Sequence, residues 1–414
     1  MHTLPLDRPS GVFAAVLTPF GDDGSPDPAA LALHCRWLLA NGCDGLSILG
    51  TTGEANSLSV DERLRLMERL VEDGIPAQVL LPGIGCCAIP DTARLTARAL
   101  QLGVAGALML PPFYYKSVSD DGVYAAVSEV LERVGDARLR IYLYHFPQMT
   151  AIPFSRALIE RLRDSWPENV AGMKDSSGDL ANMTGIVARF PNFDVFTGSD
   201  ELLLPLLRAG GAGCITGVSN IAAPLAAAVW SAWRNGDLPA AEAAQARLNA
   251  VRRVFLNWPL SAGLKAAMAA RTGHARWRRL RPPLLPLGDD EAATLLNALD
   301  QIGNCAGGAA VSDVAAAFAR PRRGRRNCST LVASRLLQVR RHLRARRITP
   351  GCLAGGGDGV VVVLPPGIRI EEGVRLAWDL RRMDPLAAGG AAAACTSSPT
   401  ARCCRWADGP DRAA

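Results

Sequence analysis

The stretch Val170-Ala-Gly-Met-Lys-Asp-Ser-Ser-Gly-Asp179 is a short apolar run that ends at a lysine and passes at once into small polar residues. A run of this kind is typical of a buried β-strand. An amine at the end of such a strand can lose its proton and attack a carbonyl carbon, whereas the guanidinium of arginine stays charged. Lysine is also rare, since Lys116, Lys174 and Lys265 are the only three among 45 Lys and Arg residues. Lys174 is therefore a candidate nucleophile.

Similar apolar runs recur along the first 220 residues and alternate with longer amphipathic stretches. Two of these stretches begin at a predicted helix cap, Ser59 and Ser119, each followed by acidic residues. This alternation predicts a parallel sheet with helices between its strands. The strand-like runs are 12–20, 45–50, 77–85, 106–113, 140–147, 170–176, 193–199 and 213–219, and helix-like segments include 28–40, 60–73, 91–102 and 119–134.

Eight strands with intervening helices predict an α/β fold, a (β/α)8 TIM barrel. The competing architecture, a doubly wound sheet, needs a glycine-rich phosphate-binding turn after its first strand, and Thr18-Pro-Phe-Gly21 is not such a turn. We therefore expect the catalytic barrel at residues 1–221. Residues 222–303 are rich in Ala, Leu and Arg with helical periodicity, and we expect a small C-terminal helical region there.

The composition changes after residue 303. Residues 304–414 contain 18 arginines against 8 acidic residues, a net charge of +10, so that residues 1–303 carry −4 of the total of +6. Basic runs at 321–326 and 340–347 are of the kind that contacts phosphates. However, the segment is rich in Ala, Gly and Arg and has a low-complexity run, which favours a disordered or non-native extension. We therefore do not expect nucleic acid as a partner. Within this segment, the sequence allows a strand at residues 359–364 and a helix at residues 371–383.

Composition also bears on the class of protein. The N-terminus lacks the order of a signal peptide, and no run of about 18 apolar residues predicts a membrane span. The 11 cysteines form no C-x-x-C pair, and the 5 histidines show no metal-ligand spacing. These features predict a cytoplasmic protein with free thiols and no metal site.

Polar residues follow three of the predicted strands, and the carboxyl ends of barrel strands meet at one mouth. The second strand ends at Thr51 and Thr52, whose hydroxyls and amides can bind a small carboxylate. Alternation in the fifth strand puts Tyr142 and Tyr144 on one face, so that Tyr144 can point to the mouth. Alone, these residues have ordinary explanations: a turn, a packed tyrosine or a solvated charge. Together with Lys174 they supply the amine, the proton carrier and the carboxylate donors of a Schiff-base enzyme.

On its motifs the chain resembles the dihydrodipicolinate synthase/N-acetylneuraminate lyase family, the pyruvate-type class I aldolases and lyases built on a (β/α)8 barrel. The resemblance covers roughly residues 11–303 and is specific because the motifs occur together and in order. They are Val16-Leu-Thr-Pro-Phe-Gly-Asp-Asp-Gly-Ser25, Gly50-Thr-Thr-Gly-Glu54, Pro111-Pro-Phe-Tyr-Tyr115, Leu143-Tyr-His-Phe-Pro147, Gly172-Met-Lys-Asp-Ser-Ser-Gly-Asp179 and Gly213-Cys-Ile-Thr-Gly217.

The resemblance implies roles for the residues at the mouth. Lys174 would form the Schiff base with a small 2-oxo acid substrate, and Tyr144 would transfer protons. Thr51 and Thr52 would bind the substrate carboxylate, with Thr51 also counted among the catalytic residues. No cofactor is implied beyond the covalent Schiff base.

Further roles follow from the same resemblance. Tyr115 matches the tyrosine that reaches into a neighbouring subunit's site in family tetramers, so we expect a homo-oligomer, a dimer or a tetramer. Ile215 matches the position whose backbone closes the floor of the pyruvate pocket. Lys116 and Lys265 match no functional position, and we expect a solvated loop charge and a salt bridge, respectively.

Departures from the family pattern bear on the substrate. The synthase branch has an arginine where this chain has Met149, which cannot pair with a carboxylate. The sialic-acid lyase branch has a Gly-x-Asp-Glu turn after the seventh strand, and Gly198-Ser-Asp-Glu201 fits this pattern. The match implies that Gly198 and Asp200 bind the substrate. The serine expected on the eighth strand is replaced by Gly217.

We therefore expect a lyase for a smaller substrate, a 2-keto-3-deoxy sugar acid that is cleaved to pyruvate and an aldehyde, or dehydrated. One alternative is 4-hydroxy-tetrahydrodipicolinate synthase activity, the condensation of pyruvate with aspartate semialdehyde. The other is a non-catalytic oxo-acid sensor on the same barrel, although a sensor has no need of Lys174.

Overall fold

Seven parallel β-strands form one sheet in the structure, a computed structural model that describes residues 8–305, 352–356, 359–364, 392–397 and 402–407. The strands are β1 (Gly11–Ala15), β2 (Gly45–Ser47), β3 (Ala107–Met109), β4 (Ile141–His145), β5 (Val170–Asp175), β6 (Asp194–Thr197) and β7 (Gly213–Thr216). Their order is β2-β1-β7-β6-β5-β4-β3, so that β2 and β3 lie at the two edges.

Helices connect the strands and continue after the last of them. The caps predicted from sequence are confirmed: Ser59 forms a capping box with Glu62, and Ser119 accepts a hydrogen bond from the amide of Gly122. The helices are α1 (Pro28–Ala40), α2 (Val60–Glu72), α3 (Ile89–Leu102), α4 (Asp120–Val134), α5 (Pro147–Thr150), α6 (Arg156–Ser165), α7 (Leu180–Arg189), α8 (Leu203–Arg208), α9 (Ser219–Arg234), α10 (Leu238–Val254), α11 (Leu260–Thr272) and α12 (Asp289–Cys305). Among the described helices, none is both long and apolar enough to cross a bilayer.

An irregular segment lies between the two edge strands, where the third of the eight strands was predicted. The prediction of a strand at 77–85 is wrong, because the segment starts as a 3-10 helix and then makes only single bridges. The amide of Leu81 donates to the Leu46 carbonyl and that of Leu108 to the Pro82 carbonyl, each at 2.8 Å. Pro82 has no N–H, which interrupts a continuous ladder. These bonds nevertheless link β2 to β3, and the predicted barrel architecture is confirmed.

Gly83 marks a close approach of this segment to the backbone that follows β2. A Cβ added there would overlap the carbonyl of Leu49, which cannot move as a flexible side chain can. We expect Gly83→Ala to lower the free energy of unfolding by about 1–3 kcal/mol, measured by urea denaturation. Gly122→Ala is the matched control, because its nearest neighbour would lie at 3.8 Å. Equal stability of the two variants would contradict this account of barrel closure.

The barrel interior is a small apolar cluster that is separate from the larger core between strands and helices. Tyr142 and Tyr144 both belong to it, which confirms that they share one face of their strand. A Cβ at Gly172 would lie 2.8 Å from the Tyr142 ring, so a glycine is needed where that ring crosses β5. The buried members of the cluster are Phe13, Ala15, Leu81, Leu108, Tyr142, Tyr144, Phe196, Ala212 and Ile215.

The amino-terminal end of the barrel is closed by a polar network. Tyr142 donates to Oδ2 of Asp194 at 3.1 Å, and Nε of Arg8 donates to the same oxygen at 3.1 Å. Asp194 is the first residue of β6, whereas Lys174 is the fifth of six residues in β5. Lys174 therefore lies at the opposite, carboxyl end, as predicted.

A second compact unit, Pro321–Ala414, follows the first, Met1–Arg320. Its described strands form an antiparallel sheet of order β10-β11-β9-β8, where the strands are β8 (Cys352–Gly356), β9 (Gly359–Leu364), β10 (Ala392–Ser397) and β11 (Arg402–Ala407). The strand at 359–364 matches the one that the sequence indicated, and the predicted helix at 371–383 lies outside the described residues. The disordered or non-native character of the extension stays a prediction.

Candidate active site

Lys174 and Tyr144 form the centre of the mouth. They are direct partners in the register between β4 and β5. Nζ of Lys174 donates to Oη of Tyr144 at 3.2 Å and lies 4.3 Å from the centroid of its ring. Each residue is 5% exposed. The buried amine and the phenol that the sequence pointed to are therefore in contact.

The turn after β2 brings a hydroxyl to the same phenol. Oγ1 of Thr51 lies 3.4 Å from Oη of Tyr144, and Thr52 beside it is buried. Gly53 is needed in this turn, because a Cβ there would lie 2.7 Å from the Val16 carbonyl oxygen. The pentapeptide Gly50–Glu54 is thus packed tightly against the end of β1, and the structure brings Thr51 to the amine–phenol pair.

The electrostatic environment of Tyr144 suits proton transfer. Burial raises the pKa of the phenol, but the positive charge of Lys174 and hydrogen bonds from Thr51, Lys174 and Ser176 lower it by more. The pKa of Tyr144 therefore lies below its usual value of about 10. A phenol with a lowered pKa gives and takes protons more readily near neutral pH.

The turn after Lys174 is held by the carboxylate of Asp175. Its Oδ1 accepts from the backbone amide and the hydroxyl of Ser177 at 2.8 and 2.6 Å, and Oδ2 accepts from the side-chain amide Nδ2 of Asn182 at 2.8 Å. Ser176 lies between Asp175 and Ser177, and its hydroxyl contributes to lowering the pKa of the Tyr144 phenol. Ser176 was not among the predicted site residues, although its place two residues after Lys174 puts both side chains on the same face of an extended chain.

Ile215 and Gly198 also lie at this site. Ile215 is fully buried and packs in the barrel interior with Tyr144. The amide of Gly198 donates to the Asp175 carbonyl at 2.7 Å, and any side chain at Gly198 would overlap that of Ser176. Ile215 thus packs in the same cluster as Tyr144, and Gly198 lies against the residues that directly follow Lys174, where Ser176 fills the space that a side chain would need.

Two predicted site residues, Asp200 and Tyr115, form no hydrogen bond with Lys174, Tyr144 or Thr51 in the structure. Asp200 is buried beside the Thr216 hydroxyl, its backbone carbonyl accepts from Gln245 at 2.9 Å, and its Oδ1 has no hydrogen-bond partner among the described residues. Burial raises the pKa of Asp200 to about 6. Tyr115 is 71% exposed and stacks edge-on against Tyr114, with ring centroids 5.3 Å apart.

The other two lysines have the surroundings that were expected of them. Lys265 forms a buried salt bridge with Glu54, with Nζ 2.5 Å from Oε1. Lys116 is exposed and donates to the carbonyls of Phe113 and Thr150, the latter at 3.2 Å. Neither amine hydrogen-bonds to the mouth phenol.

The described part of the barrel unit was also searched for metal-binding clusters and for disulfides. Within the described residues no group of three or more His, Cys, Asp or Glu side chains could hold a metal ion. The cysteines described there are free: Cys35, Cys43, Cys86, Cys87 and Cys214.

Comparison with known proteins identifies the family. The sequence profile of the dihydrodipicolinate synthetase family matches residues 8–302. The chain belongs to this family. Membership in the dihydrodipicolinate synthetase family confirms both the resemblance seen in the motifs and the prediction of a lyase. Enzymes of the family form a covalent Schiff base between a lysine and pyruvate and use no separate cofactor, as the resemblance implied.

Individual relatives match over nearly their whole length. The chain is 39% identical over 298 residues to an uncharacterized DapA-like lyase of Chloroflexus aurantiacus, covering 72% of this chain and 98% of that protein. It is 32% identical over 294 residues to the 4-hydroxy-tetrahydrodipicolinate synthase of Acidiphilium cryptum, covering 71% and 98%.

Solved structures of the family share the fold. Dihydrodipicolinate synthase from Agrobacterium tumefaciens is 31% identical with a TM-score of 0.65, over 70% of this chain and 99% of that one. YagE, a prophage protein of the family from E. coli K12 solved in complex with pyruvate, is 28% identical with a TM-score of 0.66, over 72% and 99%.

Proposed function

We propose that this protein is a Schiff-base lyase acting on pyruvate or a 2-keto-3-deoxy sugar acid, with Lys174 as its nucleophile. The observation that carries the proposal is the 3.2 Å contact between Nζ of Lys174 and Oη of Tyr144, with the Thr51 hydroxyl beside it. Thr51 and Thr52 bind the substrate carboxylate, and the backbone of Ile215 closes the pocket. Family membership supports the reaction class.

Formation of the covalent intermediate needs one nucleophile and one proton carrier. The amine of Lys174 attacks the C2 carbonyl of the oxo acid to give a carbinolamine. The phenol of Tyr144 then protonates the departing hydroxyl, which leaves as water, and an iminium remains. Thr51, within reach of the same phenol, passes protons along this path while the carboxylate is held in a fixed orientation.

Cleavage uses the same groups, but Tyr144 now accepts a proton where it had donated one. Tyr144 accepts the proton of the substrate's 4-hydroxyl, the C3–C4 bond breaks, and an aldehyde leaves. The electron pair of the broken bond is held as an enamine on Lys174. Protonation at C3 and hydrolysis then release pyruvate and the free amine; loss of water from the same iminium is the dehydration alternative.

A panel of 2-keto-3-deoxy sugar acids tests the substrate class. Pyruvate release is followed with a coupled dehydrogenase, with Lys174→Ala as the blank. Turnover of at least one member, absent in the variant, is the expected result. If wild-type protein releases pyruvate from none of them but condenses pyruvate with aspartate semialdehyde, the synthase alternative is correct.

Met149 is the residue that favours a 2-keto-3-deoxy sugar acid over aspartate semialdehyde as the substrate. It lies in α5 after the catalytic tyrosine strand and is 60% exposed. Several relatives are 4-hydroxy-tetrahydrodipicolinate synthases, so this activity is the second candidate. A thioether cannot pair with the carboxylate of aspartate semialdehyde, which forfeits a contact worth about 1.5–3 kcal/mol.

We expect Met149→Arg to lower the KM for aspartate semialdehyde by about tenfold or more, since it restores a charge-assisted hydrogen bond. The measurement is the initial rate of condensation with pyruvate at varied semialdehyde concentration. Met149→Gln, of similar length and without charge, is the control and should leave the KM unchanged. If the wild-type enzyme condensed pyruvate with aspartate semialdehyde as efficiently as Met149→Arg does, Met149 would not be what disfavours this substrate.

Assembly and location are further parts of the proposal. Exposure of Tyr114 and Tyr115 supports a homo-oligomer, a dimer or tetramer, in which Tyr115 completes a neighbour's site. Assembly varies among relatives, since one solved structure is of a monomeric dihydrodipicolinate synthase variant. Free thiols support a reducing cytoplasm.

The domain limits and the remaining site positions are also proposals. We place the barrel at 1–221, its C-terminal helices at 222–303 and an extension rich in Arg, Ala and Gly at 304–414, supported by the end of the family match at residue 302. The hydrogen bond from the amide of Gly198 to the carbonyl of Asp175, the residue after Lys174, supports its place in the substrate pocket. The role of Asp200 as a substrate contact rests on the Gly-x-Asp-Glu motif alone.

A further inference from the structure

Two fully buried side chains of opposite charge lie directly behind the turn that carries Thr51 and Thr52. Glu54 ends this turn in a left-handed backbone conformation with a φ of 58°. Its Oε1 accepts from Nζ of Lys265, in α11, at 2.5 Å, and its Oε2 accepts from the amide of Arg281 at 2.9 Å. Both partners of the ion pair have side chains that are 0% exposed. One carboxylate thus ties the turn to α11 and to the segment after it.

The ammonium of Lys265 also reaches a second loop of the mouth. Besides Glu54 it donates to the Arg279 carbonyl at 2.6 Å and lies 4.3 Å from the centroid of the Phe20 ring. Phe20 follows β1, so the ammonium contacts the loops after both β1 and β2. Burial lowers the pKa of Lys265 to about 8, although the charge of Glu54 opposes the shift.

Arg281 holds the same segment from the outside. Its guanidinium makes a two-pronged pair with Glu62 of α2, at 2.5 and 2.8 Å, and donates to the carbonyls of Ser57 and Gly24 at 2.8 and 2.9 Å. Glu54 therefore accepts from groups that are themselves fixed on several sides. A rigid partner of this kind can fix the direction of the turn.

A buried ion pair is weak evidence for stability alone. Removing two charges from water offsets most of their attraction, and apolar replacements are often neutral or stabilising. Strained backbone persists where its surroundings over-determine it, and such strain concentrates at ligand sites. The left-handed conformation of Glu54, one residue past Gly53, is of this kind.

We propose that Glu54 and Lys265 are a positioning pair, which holds Thr51 and Thr52 in the geometry that binds the carboxylate of the 2-oxo acid. The inference rests on the proposed function and adds to it a role for α11. Neither residue of the pair touches the substrate. Loss of the pair should therefore weaken substrate binding and leave the chemistry of Lys174 in place.

The test uses a double variant, Glu54→Gln with Lys265→Met, which removes both charges at similar volume and leaves no lone buried charge. Borohydride trapping of pyruvate is followed at varied pyruvate concentration in the full-length protein. We expect the half-saturating pyruvate concentration to rise about 10- to 100-fold, while the maximal trapping rate changes by less than about threefold.

Arg271→Met is the matched control. Arg271 is a buried cation on the same helix that donates to the Asn220 carbonyl at 3.2 Å, packs over Trp37 and makes no hydrogen bond to the turn. The half-saturating pyruvate concentration of Arg271→Met should equal that of the wild-type protein.

Four results would overturn the proposal: an unchanged half-saturating concentration in the double variant, an equal shift in Arg271→Met, a fall in the maximal trapping rate alone, or a double variant that does not fold by circular dichroism. Absence of trapping in wild-type protein would instead contradict the proposed function.

Discussion

Replacing Lys174 with alanine should lower kcat/KM for pyruvate release by roughly 10⁴-fold or more, because a covalent step has lost its nucleophile. The amine is buried in contact with Tyr144, and no second lysine hydrogen-bonds to that phenol in the described part of the chain. Steady-state kinetics on the best substrate of the 2-keto-3-deoxy acid panel measures the effect.

Two further variants separate loss of chemistry from loss of structure. Lys174→Met keeps most of the volume of the side chain and should be as inactive as the alanine variant, with a thermal midpoint near that of wild type. Lys116→Ala removes an exposed amine from a nearby loop and should retain activity. Substantial turnover by Lys174→Met would contradict the assignment of the nucleophile.

Replacing Tyr144 with phenylalanine should lower kcat by about 10²–10⁴-fold, the usual contribution of a positioned proton carrier. The ring and its packing are kept, so the change removes only the hydroxyl that contacts Lys174 and Thr51. Because the pKa of this phenol lies below its usual value, the kcat of the wild-type enzyme should decline on the alkaline side with a midpoint below about pH 10. Activity declines there since the ionised phenol can no longer donate a proton.

Tyr142→Phe is the matched control, on the same strand and the same face. It loses a hydrogen bond to Asp194 at the closed end of the barrel, and should cost about 1–3 kcal/mol of stability with little change in kcat. If Tyr142→Phe lowered kcat as much as Tyr144→Phe, the specific role of Tyr144 would be wrong.

Much of the barrel and the centre of its mouth could be predicted from local patterns. Period-2 alternation placed Tyr142 and Tyr144 on one face, and strand ends placed Lys174 with Thr51 at one mouth. These predictions needed only residues within one element and the rule that parallel strands end together.

Features that depend on particular long-range contacts were beyond such patterns. Pro82 interrupts the third strand, which looks continuous when hydrophobicity alone is considered. The partner of Glu54 lies 211 residues away, at Lys265, and no local period indicates which residues of a helical region reach the mouth. The exposed setting of Tyr115 in a single chain likewise follows from tertiary structure and not from its motif.

Peptide mapping of the borohydride-reduced pyruvate adduct tests the central claim most directly. Wild-type protein is incubated with pyruvate, reduced and digested, and the modified lysine is located by mass spectrometry. The account predicts a single adduct on Lys174, with Lys116 and Lys265 unmodified. An adduct on either of the other lysines, or no adduct at saturating pyruvate, would contradict it.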